Sequence, residues 1–143
     1  EELITGVIQK FQLFIEKKDI KINIQNKNNM LHVFIDRNRI SRVIENLLNN
    51  AIDYSPVSGK IDIILVKDNG HFSVSIKDEG PGISEENKEK IFEPFFREDS
   101  SRTRETGGTG LGLAIVEKII TLHGGKIMVE NPGHKGALIT FTI

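Results

Sequence analysis

The feature that most limits the possible folds is a long amphipathic helix, predicted from Asp36 to about Tyr54, with one apolar face. That face consists of Ile40, Val43, Ile44, Leu47, Leu48, Ala51 and Ile52. Asp36 suits the N-cap position because its carboxylate can accept a hydrogen bond from a free amide of the first turn. A helix with one continuous apolar face needs a second layer of structure to cover it.

Segments with alternating apolar and polar residues supply that second layer, because this alternation predicts strands. The predicted strands span residues 20–24, 31–35, 61–65, 72–77, 126–130 and 137–143. Further helices are predicted for residues 3–18, 85–91 and 111–123, the second of them short and acidic. This order of helices and strands predicts a two-layer α/β sandwich.

Composition narrows the class of protein further. A chain of 143 residues with 38% hydrophobic and 27% charged residues has the size of one globular domain. The net charge of −1 gives no general attraction to nucleic acid or to an acidic membrane. Without cysteine there are no disulfides or thiolate metal sites. No apolar run reaches the roughly 20 residues of a membrane span, so we expect a soluble domain.

Residues 107–116 join four glycines to a run of helix-forming residues. Glycine allows close backbone approach to a ligand, and the first amides of a helix have no internal partners, so this arrangement suits a phosphate. A flexible turn before an ordinary helix is the alternative interpretation. No P-loop or Gly-x-Gly-x-x-Gly sequence is present, so a bound nucleotide would be held by another scheme.

The polar side of the long helix carries Arg39, Arg42, Asn46, Asn50 and Asp53. A solvated helix face explains the two arginines as well as a functional role does. The asparagines are harder to explain in this way, because asparagine is a weak helix former. At positions i and i+4, Asn46 and Asn50 place two carbonyl oxygens side by side, which suits a hard cation or its water shell.

Two loops are candidates for function. Residues 78–83 follow a strand, and Asp78 could accept a hydrogen bond from the amino group of a base, although ordinary turns have similar sequences. Residues 97–106 contain three arginines and no apolar residue. They form either a functional lid or a tolerated loop, and their position before the glycine run favours the lid.

A cluster of three phenylalanines and one histidine are expected to have structural roles. The phenylalanines at positions 92, 95 and 96 are expected to pack the base of this loop onto the core. His123 falls in the last turn of its helix, where an imidazole can cap carbonyl groups, and we expect no metal there.

Four motifs together resemble the N, G1, F and G2 boxes of bacterial sensor histidine kinases, in the same order. They are residues 46–51 (NLLNNA), 78–83 (DEGPGI), 91–96 (IFEPFF) and 108–113 (GTGLGL). The resemblance implies the catalytic and ATP-binding domain, with the GHKL or Bergerat fold. That fold is a mixed, mainly antiparallel sheet of about five strands with about three helices on one face.

The resemblance also implies roles for individual residues. Asn50 would ligate Mg²⁺ and act in catalysis, with Asn46 near the phosphates. Tyr54 would lie against the adenine of ATP, Asp78 would accept from its amino group, and Arg97 would reach the terminal phosphate. The other residues implied at the ATP site are Gly80, Gly82, Ile83, Phe92, Gly108, Thr109, Gly110, Leu111, Gly112 and Leu113.

The chain departs from the family pattern at two points. It has no His-Glu-x-x-Arg-x-Pro motif, so the phosphoacceptor histidine would belong to a dimerisation domain outside residues 1–143. Asp53 occupies a position where the family usually has lysine. The implied partners are that helical domain and a downstream response regulator. The parent kinase would often be membrane-anchored, while this domain would be cytoplasmic and contact neither membrane nor nucleic acid.

Two other functions fit the same features. One is a nucleotide-sensing pseudokinase domain that binds ATP without transferring phosphate. The other is an anti-sigma-factor-type serine kinase of the same superfamily. The phenylalanine box followed by Arg97 and a long polar segment favours the histidine kinase.

Overall fold

A mixed five-stranded sheet carries helices on one face in the computed structural model, which describes residues 1–27, 33–68, 70–97, 109–133 and 135–143. The strands are β1 (Lys21–Asn26), β2 (Lys60–Asp68), β3 (His71–Lys77), β4 (Lys126–Glu130) and β5 (Leu138–Thr142). Their order in the sheet is β1-β2-β3-β5-β4. β1 and β2 are parallel and the other neighbours are antiparallel, which confirms the predicted fold class.

The helices of the described ranges differ in length and in what they cover. They are α1 (Glu2–Lys10), α2 (Gln12–Lys17), α3 (Arg37–Tyr54) and α4 (Gly112–Leu122). Short 3₁₀ turns cover Glu85–Asn87 and Lys90–Phe92. None of these helices is long and apolar enough to cross a membrane.

Helix α3 has the predicted position and orientation. The backbone N–H of Arg39 donates to Asp36 Oδ1 at 3.0 Å, which confirms Asp36 as the N-cap. All seven residues of the predicted apolar face are buried. They pack against sheet residues such as Ile61, Ile63 and Phe141, so the apolar face of α3 fixes one side of the helix to the sheet.

A lysine fixes the far end of α3. Lys18 Nζ donates to the backbone carbonyls of Ile52 at 2.7 Å, Asp53 at 2.9 Å and Ser55 at 3.2 Å. These carbonyls have no partner within the helix, and an ammonium group is stabilised at the negative end of the helix dipole. The contact therefore stabilises the turn that carries Asp53 and Tyr54.

The single helix predicted for residues 3–18 is wrong in one respect, because it is divided at Phe11. The N–H of Phe11 donates to Ile8 O at 2.9 Å, three residues back, and the backbone has φ −99° and ψ 6° there. The change of direction buries Ile15 and leaves Phe14 61% exposed.

The strand predicted for residues 31–35 is also wrong over its described part. Residues 33–36 are not in a strand, and residues 28–32 lie outside the described ranges. The chain leaves β1, passes through α3 and returns as β2, parallel to β1. A parallel pair needs such a crossover. Val33 and Phe34 are exposed in the segment that leads into α3, and Phe34 is fully so.

The acidic segment 85–91 forms two 3₁₀ turns instead of the predicted helix. The predicted packing of three phenylalanines onto the core is only partly correct. Phe92 and Phe96 are half-buried, but Phe95 is 73% exposed and has a φ of 68°. His123 caps α4 as predicted, since its Nδ1 lies 2.8 Å from Ile119 O.

Candidate functional site

A pocket of about 830 Å³ opens between α3, the start of α4 and the loop after β3. This volume is within the usual range for sites that hold a small molecule or cofactor. Many of the residues assigned to the ligand site from the sequence line this pocket. They are Asn46, Asn50, Tyr54, Asp78, Gly82, Ile83, Arg97, Thr109, Gly110, Gly112 and Leu113. The structure therefore brings together residues from three of the four motifs with Tyr54 and Arg97, and Ile91 and Phe96 of the remaining motif also line the pocket.

Asp78 is one of two buried polar residues in the described part of the chain, with 8% of its surface exposed. Its Oδ1 accepts from the backbone N–H of Gly80 at 2.8 Å and of Ala137 at 3.1 Å. Among the described residues, no group donates to Oδ2, and Asp78 lines the pocket. One carboxylate oxygen is thus held by the protein and the other remains able to accept from a ligand.

Burial raises the pKa of the Asp78 carboxyl above its ordinary value of 3.8, and the hydrogen bonds from Gly80 and Ala137 oppose this rise. A buried carboxylate of this kind is costly unless it is well hydrogen-bonded. Carboxyl groups whose pKa is shifted by burial in a pocket are typical of functional sites.

Two glycines explain why the backbone can approach Asp78 so closely. A Cβ on Gly80 would lie 2.9 Å from both Asp78 Oδ1 and Tyr54 O. A Cβ on Gly136 would lie 2.1 Å from Asp78 O, and Gly136 also has a φ of +87°. The N–H of Gly136 donates to Gly80 O at 2.7 Å. The loop after β3 is therefore built against the residues just before β5.

The floor of the pocket next to Asp78 is apolar. Ile76 on β3 pairs with Ile139 on β5, and both line the pocket together with Ala137. Ala51 and Leu113 contribute from α3 and α4. A flat aromatic ring could be buried here with its polar edge toward Asp78. Sequence reasoning placed these residues in strands but missed Ile76, Ala137 and Ile139 as pocket residues.

The polar face of α3 forms one wall. Asn46 Nδ2 donates to Arg42 O at 2.9 Å, and Asn49 Nδ2 donates to Asp53 Oδ2 at 3.1 Å. The Asn50 side chain has no hydrogen bond within the described part of the chain and lines the pocket. The amide side chains of Asn46 and Asn50 thus lie one turn apart at this wall of the pocket.

Arg39 and Arg42 are absent from the lining of the pocket, and both are exposed. Arg39 Nε lies 3.3 Å from Asp36 Oδ2, one turn away on the helix surface. The interpretation of these arginines as a solvated face is the one that agrees with the structure.

Asp53 lines the pocket and its carboxyl is partly desolvated. Burial raises the pKa of Asp53 above 3.8, while the positive charges of Lys18 and Arg97 and the hydrogen bond from Asn49 oppose the rise. A carboxylate at this wall adds negative charge to the site. It would therefore repel a bound anion.

The N-terminus of α4 forms the opposite wall. Its N-cap is Leu111, whose side chain makes no capping hydrogen bond, so the first amides of the helix remain available for an anion. Gly112 faces α3, because a Cβ at this position would lie 3.1 Å from Asn46 Oδ1. The amides of α4 and the asparagines of α3 thus face the same space.

The sequence matches the family described as "Histidine kinase-, DNA gyrase B-, and HSP90-like ATPase" over residues 35–143. The chain belongs to this ATPase family. Among its relatives, sensor histidine kinase WalK of Bacillus subtilis strain 168 is 43% identical over 115 residues, covering 79% of this chain and 19% of WalK. The adaptive-response sensory kinase SasA of Synechocystis is 38% identical over 143 residues, covering 99% of this chain and 37% of SasA.

Solved structures agree with this assignment. The nucleotide-free catalytic domain of histidine kinase ThkA is 41% identical, with a TM-score of 0.87 over 99% of this chain and 90% of that one. ThkA in complex with response regulator protein TrrA is 40% identical, with a TM-score of 0.83. The described fold is that of a histidine kinase catalytic domain, and the chain spans well under half the length of WalK and SasA.

Several residues that the histidine kinase resemblance assigned to the nucleotide do not line the pocket. Gly80 is packed closely between Asp78 and Tyr54, and its role in nucleotide binding stays a prediction. Phe92 and Leu111 are also absent from the lining, whereas Ile91 and Phe96 are part of it. Gly108 and residues 98–106 of the proposed lid are outside the described ranges.

No group of three or more histidine, cysteine or acidic side chains that could hold a metal occurs in the described ranges. The pocket of this ATPase domain offers amide oxygens at Asn46 and Asn50 instead. Mg²⁺ is usually held by one or two protein oxygens together with phosphates and water. These donors therefore suit a metal that arrives with a nucleotide.

Proposed function

We propose that this domain binds ATP with Mg²⁺ in the described pocket and transfers the γ-phosphoryl group to a histidine on a separate dimerisation domain. The observation that carries the proposal is the Asp78 carboxylate, which is buried at the apolar end of the pocket with only Oδ1 bonded to the described protein. Oδ2 can accept from the amino group of adenine. A base with a carbonyl oxygen at that position would instead be repelled.

The remaining groups suit the other parts of the nucleotide. The adenine ring would lie over Ile76, Ile139 and Ala137 with Tyr54 at its edge. The phosphates would lie at the uncapped N-terminus of α4, which favours negative charge. Asn50 would hold the metal, with Asn46 beside it, and Arg97 at the pocket wall would approach the terminal phosphate.

The chemistry expected from these groups is positioning and charge neutralisation, the main requirements of phosphoryl transfer. Bound Mg²⁺ would supply charge neutralisation at the phosphates. The pocket wall contributes Asn50 and Arg97 for orientation, while the acceptor imidazole and the base that takes its proton would belong to the partner domain.

The proposed partners follow from the relatives. WalK and SasA are a sensor histidine kinase and a sensory kinase, and the similar ThkA was solved with a response regulator protein. We infer that the parent of this chain transfers phosphate from its own histidine to a response regulator. The domain would act on the cytoplasmic side of such a kinase, where ATP is present.

Calorimetric titration with MgATP, MgGTP and the variant Asp78→Asn tests the proposal. The wild type should bind ATP and reject GTP. The variant should lose at least about tenfold in ATP affinity, since a partner of the adenine amino group is lost in a buried site. Asp62→Asn, on the sheet face away from the helices, is the control and should bind normally. Equal affinity of wild type and Asp78→Asn for ATP would overturn the assignment of Asp78.

A further inference from the structure

Asn131, the residue that follows β4, is hydrogen-bonded to the loop that shapes the pocket. Its Oδ1 accepts from the backbone N–H of Ile83 at 3.0 Å, and its Nδ2 donates to the backbone carbonyl of the same residue at 2.7 Å. Ile83 lines the pocket, whereas Asn131 does not. One side chain therefore satisfies both backbone groups of a pocket residue.

Asparagine is chemically suited to this position. A primary amide carries one acceptor and one donor group on the same plane, so it can pair with a peptide unit as a neighbouring strand would. Aspartate could accept from the Ile83 N–H, but its second oxygen would face the Ile83 carbonyl. Ile83 lies outside helices and strands, so no ladder of backbone hydrogen bonds replaces the amide.

Gly82 leaves room for this contact. It has a φ of +80°, and a Cβ there would lie 3.1 Å from Asn131 Oδ1 and 3.2 Å from Gly136 O. A side chain at position 82 would be strained by the backbone conformation and would press on the amide. The need for glycine at this position of the loop is thus explained by Asn131 and not by a ligand alone.

The contact is one of three between the same two segments. Gly136 donates to Gly80 O at 2.7 Å, and Ala137 donates to the Asp78 carboxylate at 3.1 Å. The bond from Gly136 to Gly80, and a further bond from the Asp78 N–H to Ala137 O at 3.0 Å, join backbone groups only, so a side-chain substitution would not remove their bonding atoms. At Ile83 the attachment depends on one side chain.

We propose that Asn131 is a positioning residue for nucleotide binding, which sets the shape of the adenine end of the pocket before the ligand arrives. This inference rests on the proposed function, since it assumes that a nucleotide occupies the pocket. Without the amide, the loop at Ile83 would have to be ordered by the ligand. That ordering reduces the affinity observed.

The test compares Asn131→Ala and Asn131→Asp with the wild type in calorimetric titrations with ADP and with adenosine. Both variants should bind ADP about tenfold more weakly, the affinity equivalent of one or two net hydrogen bonds. Adenosine affinity should fall by the same factor, because the contact acts at the base end of the pocket. The aspartate variant should be no better than the alanine variant.

Asn23→Ala is the matched control. It removes an asparagine hydrogen bond, from Nδ2 to Asp62 Oδ1 at 2.9 Å, on the sheet face away from the helices. A purely structural role for Asn131 predicts that both alanine variants lose stability and keep wild-type affinity, and that result would overturn the inference. Absence of ADP binding by the wild type would overturn the inference and the proposed function together.

A measurement on the wild type keeps the inference testable if the variants do not fold. In the protein without nucleotide, the Ile83 amide should exchange with solvent deuterium far more slowly than in an unstructured chain, because Asn131 accepts its hydrogen bond. Exchange of Ile83 at the unstructured rate would show that the loop is not preordered. That result would also overturn the inference.

Discussion

The backbones of Phe95 and Gly110 are in direct contact. The N–H of Phe95 donates to Gly110 O at 2.9 Å, and a Cβ on Gly110 would lie 2.9 Å from Phe95 Cα. Both residues have positive φ, 68° at Phe95 and 71° at Gly110. Gly110 lines the pocket just before α4, so this contact positions the segment where the phosphates of ATP are proposed to bind.

Gly110→Ala should destabilise the protein by about 1–3 kcal/mol, because alanine at positive φ is strained and its Cβ would press on the Phe95 backbone. The same change should weaken ATP binding through the displaced segment before α4. Urea unfolding and calorimetric titration measure the two effects.

The control for that variant is Gly6→Ala in α1, where a Cβ would meet nothing within 4 Å. Removing a glycine from an exposed helix interior should stabilise the protein by about 0.5–1 kcal/mol. Equal stabilities of the two alanine variants would show that the Phe95 contact is unimportant.

The raised pKa of Asp78 predicts opposite effects of pH on folding and on binding. Since the folded-state pKa is above the unfolded value, this group favours folding at low pH, and that contribution is lost as pH rises through the folded pKa. ATP affinity should instead fall as pH is lowered through the folded pKa. The fall should begin above the ordinary aspartate range, because binding needs the carboxylate.

Asp78→Asn is the reference for this prediction, because its Oδ1 can still accept from Gly80 and Ala137 but does not titrate. The free energy of unfolding of the wild type, relative to this variant, should increase from about pH 7 to about pH 4. A difference that decreases over this range would mean that the pKa of Asp78 is lowered in the folded protein.

Asp53→Lys should strengthen ATP binding by about 1–2 kcal/mol and ADP binding by less. The reason is that a carboxylate at the pocket wall is replaced by a positive charge. Asp62→Lys changes the net charge equally but lies on the outer sheet face, and its ATP affinity should stay close to that of the wild type. Calorimetric titration of both variants provides the measurement. Weaker ATP binding by Asp53→Lys would indicate that the carboxylate assists the metal.

Local sequence patterns predicted the parts of this fold that depend on local chemistry. The apolar spacing of α3 and the N-cap at Asp36 are confirmed, because both follow from one helix and its first turn. The strands predicted for residues 61–65 and 72–77 are also confirmed as parts of β2 and β3, which pair as antiparallel neighbours. In each case the interacting residues are close in sequence.

The errors arose where distant packing decides the structure. Helix 3–18 was predicted as continuous, but Phe11 interrupts it, so that Ile15 reaches the core and Phe14 stays exposed. Residues 33–36 alternate like a strand, yet they form the connection that a parallel strand pair requires. Periodicity alone contains no information about these neighbours.

The motifs predicted most of the described pocket but not what supports it. Asp78 and Asn50 were identified from short sequence patterns. Asn131 and Lys18 were not, because their bonds reach residues 48 and 34 to 37 positions away. An asparagine before a Pro-Gly turn looks like an ordinary turn residue. Only the folded chain shows that it contacts Ile83.

We propose that this domain transfers phosphate to a histidine that lies outside residues 1–143. None of the histidines at positions 32, 71, 123 and 134 lies in a phosphoacceptor motif, and neither His71 nor His123 lines the pocket. Transfer requires an acceptor nitrogen in line with the γ-phosphorus.

Incubation with γ-labelled ATP, alone and with the dimerisation domain of the parent kinase, tests this transfer. We expect no label on this chain by itself and acid-labile label on the added helical domain. Acid-stable label would instead indicate a serine kinase. Acid-labile label on this chain alone, or an unlabelled helical domain while ATP is bound, would contradict transfer to a histidine of a separate domain.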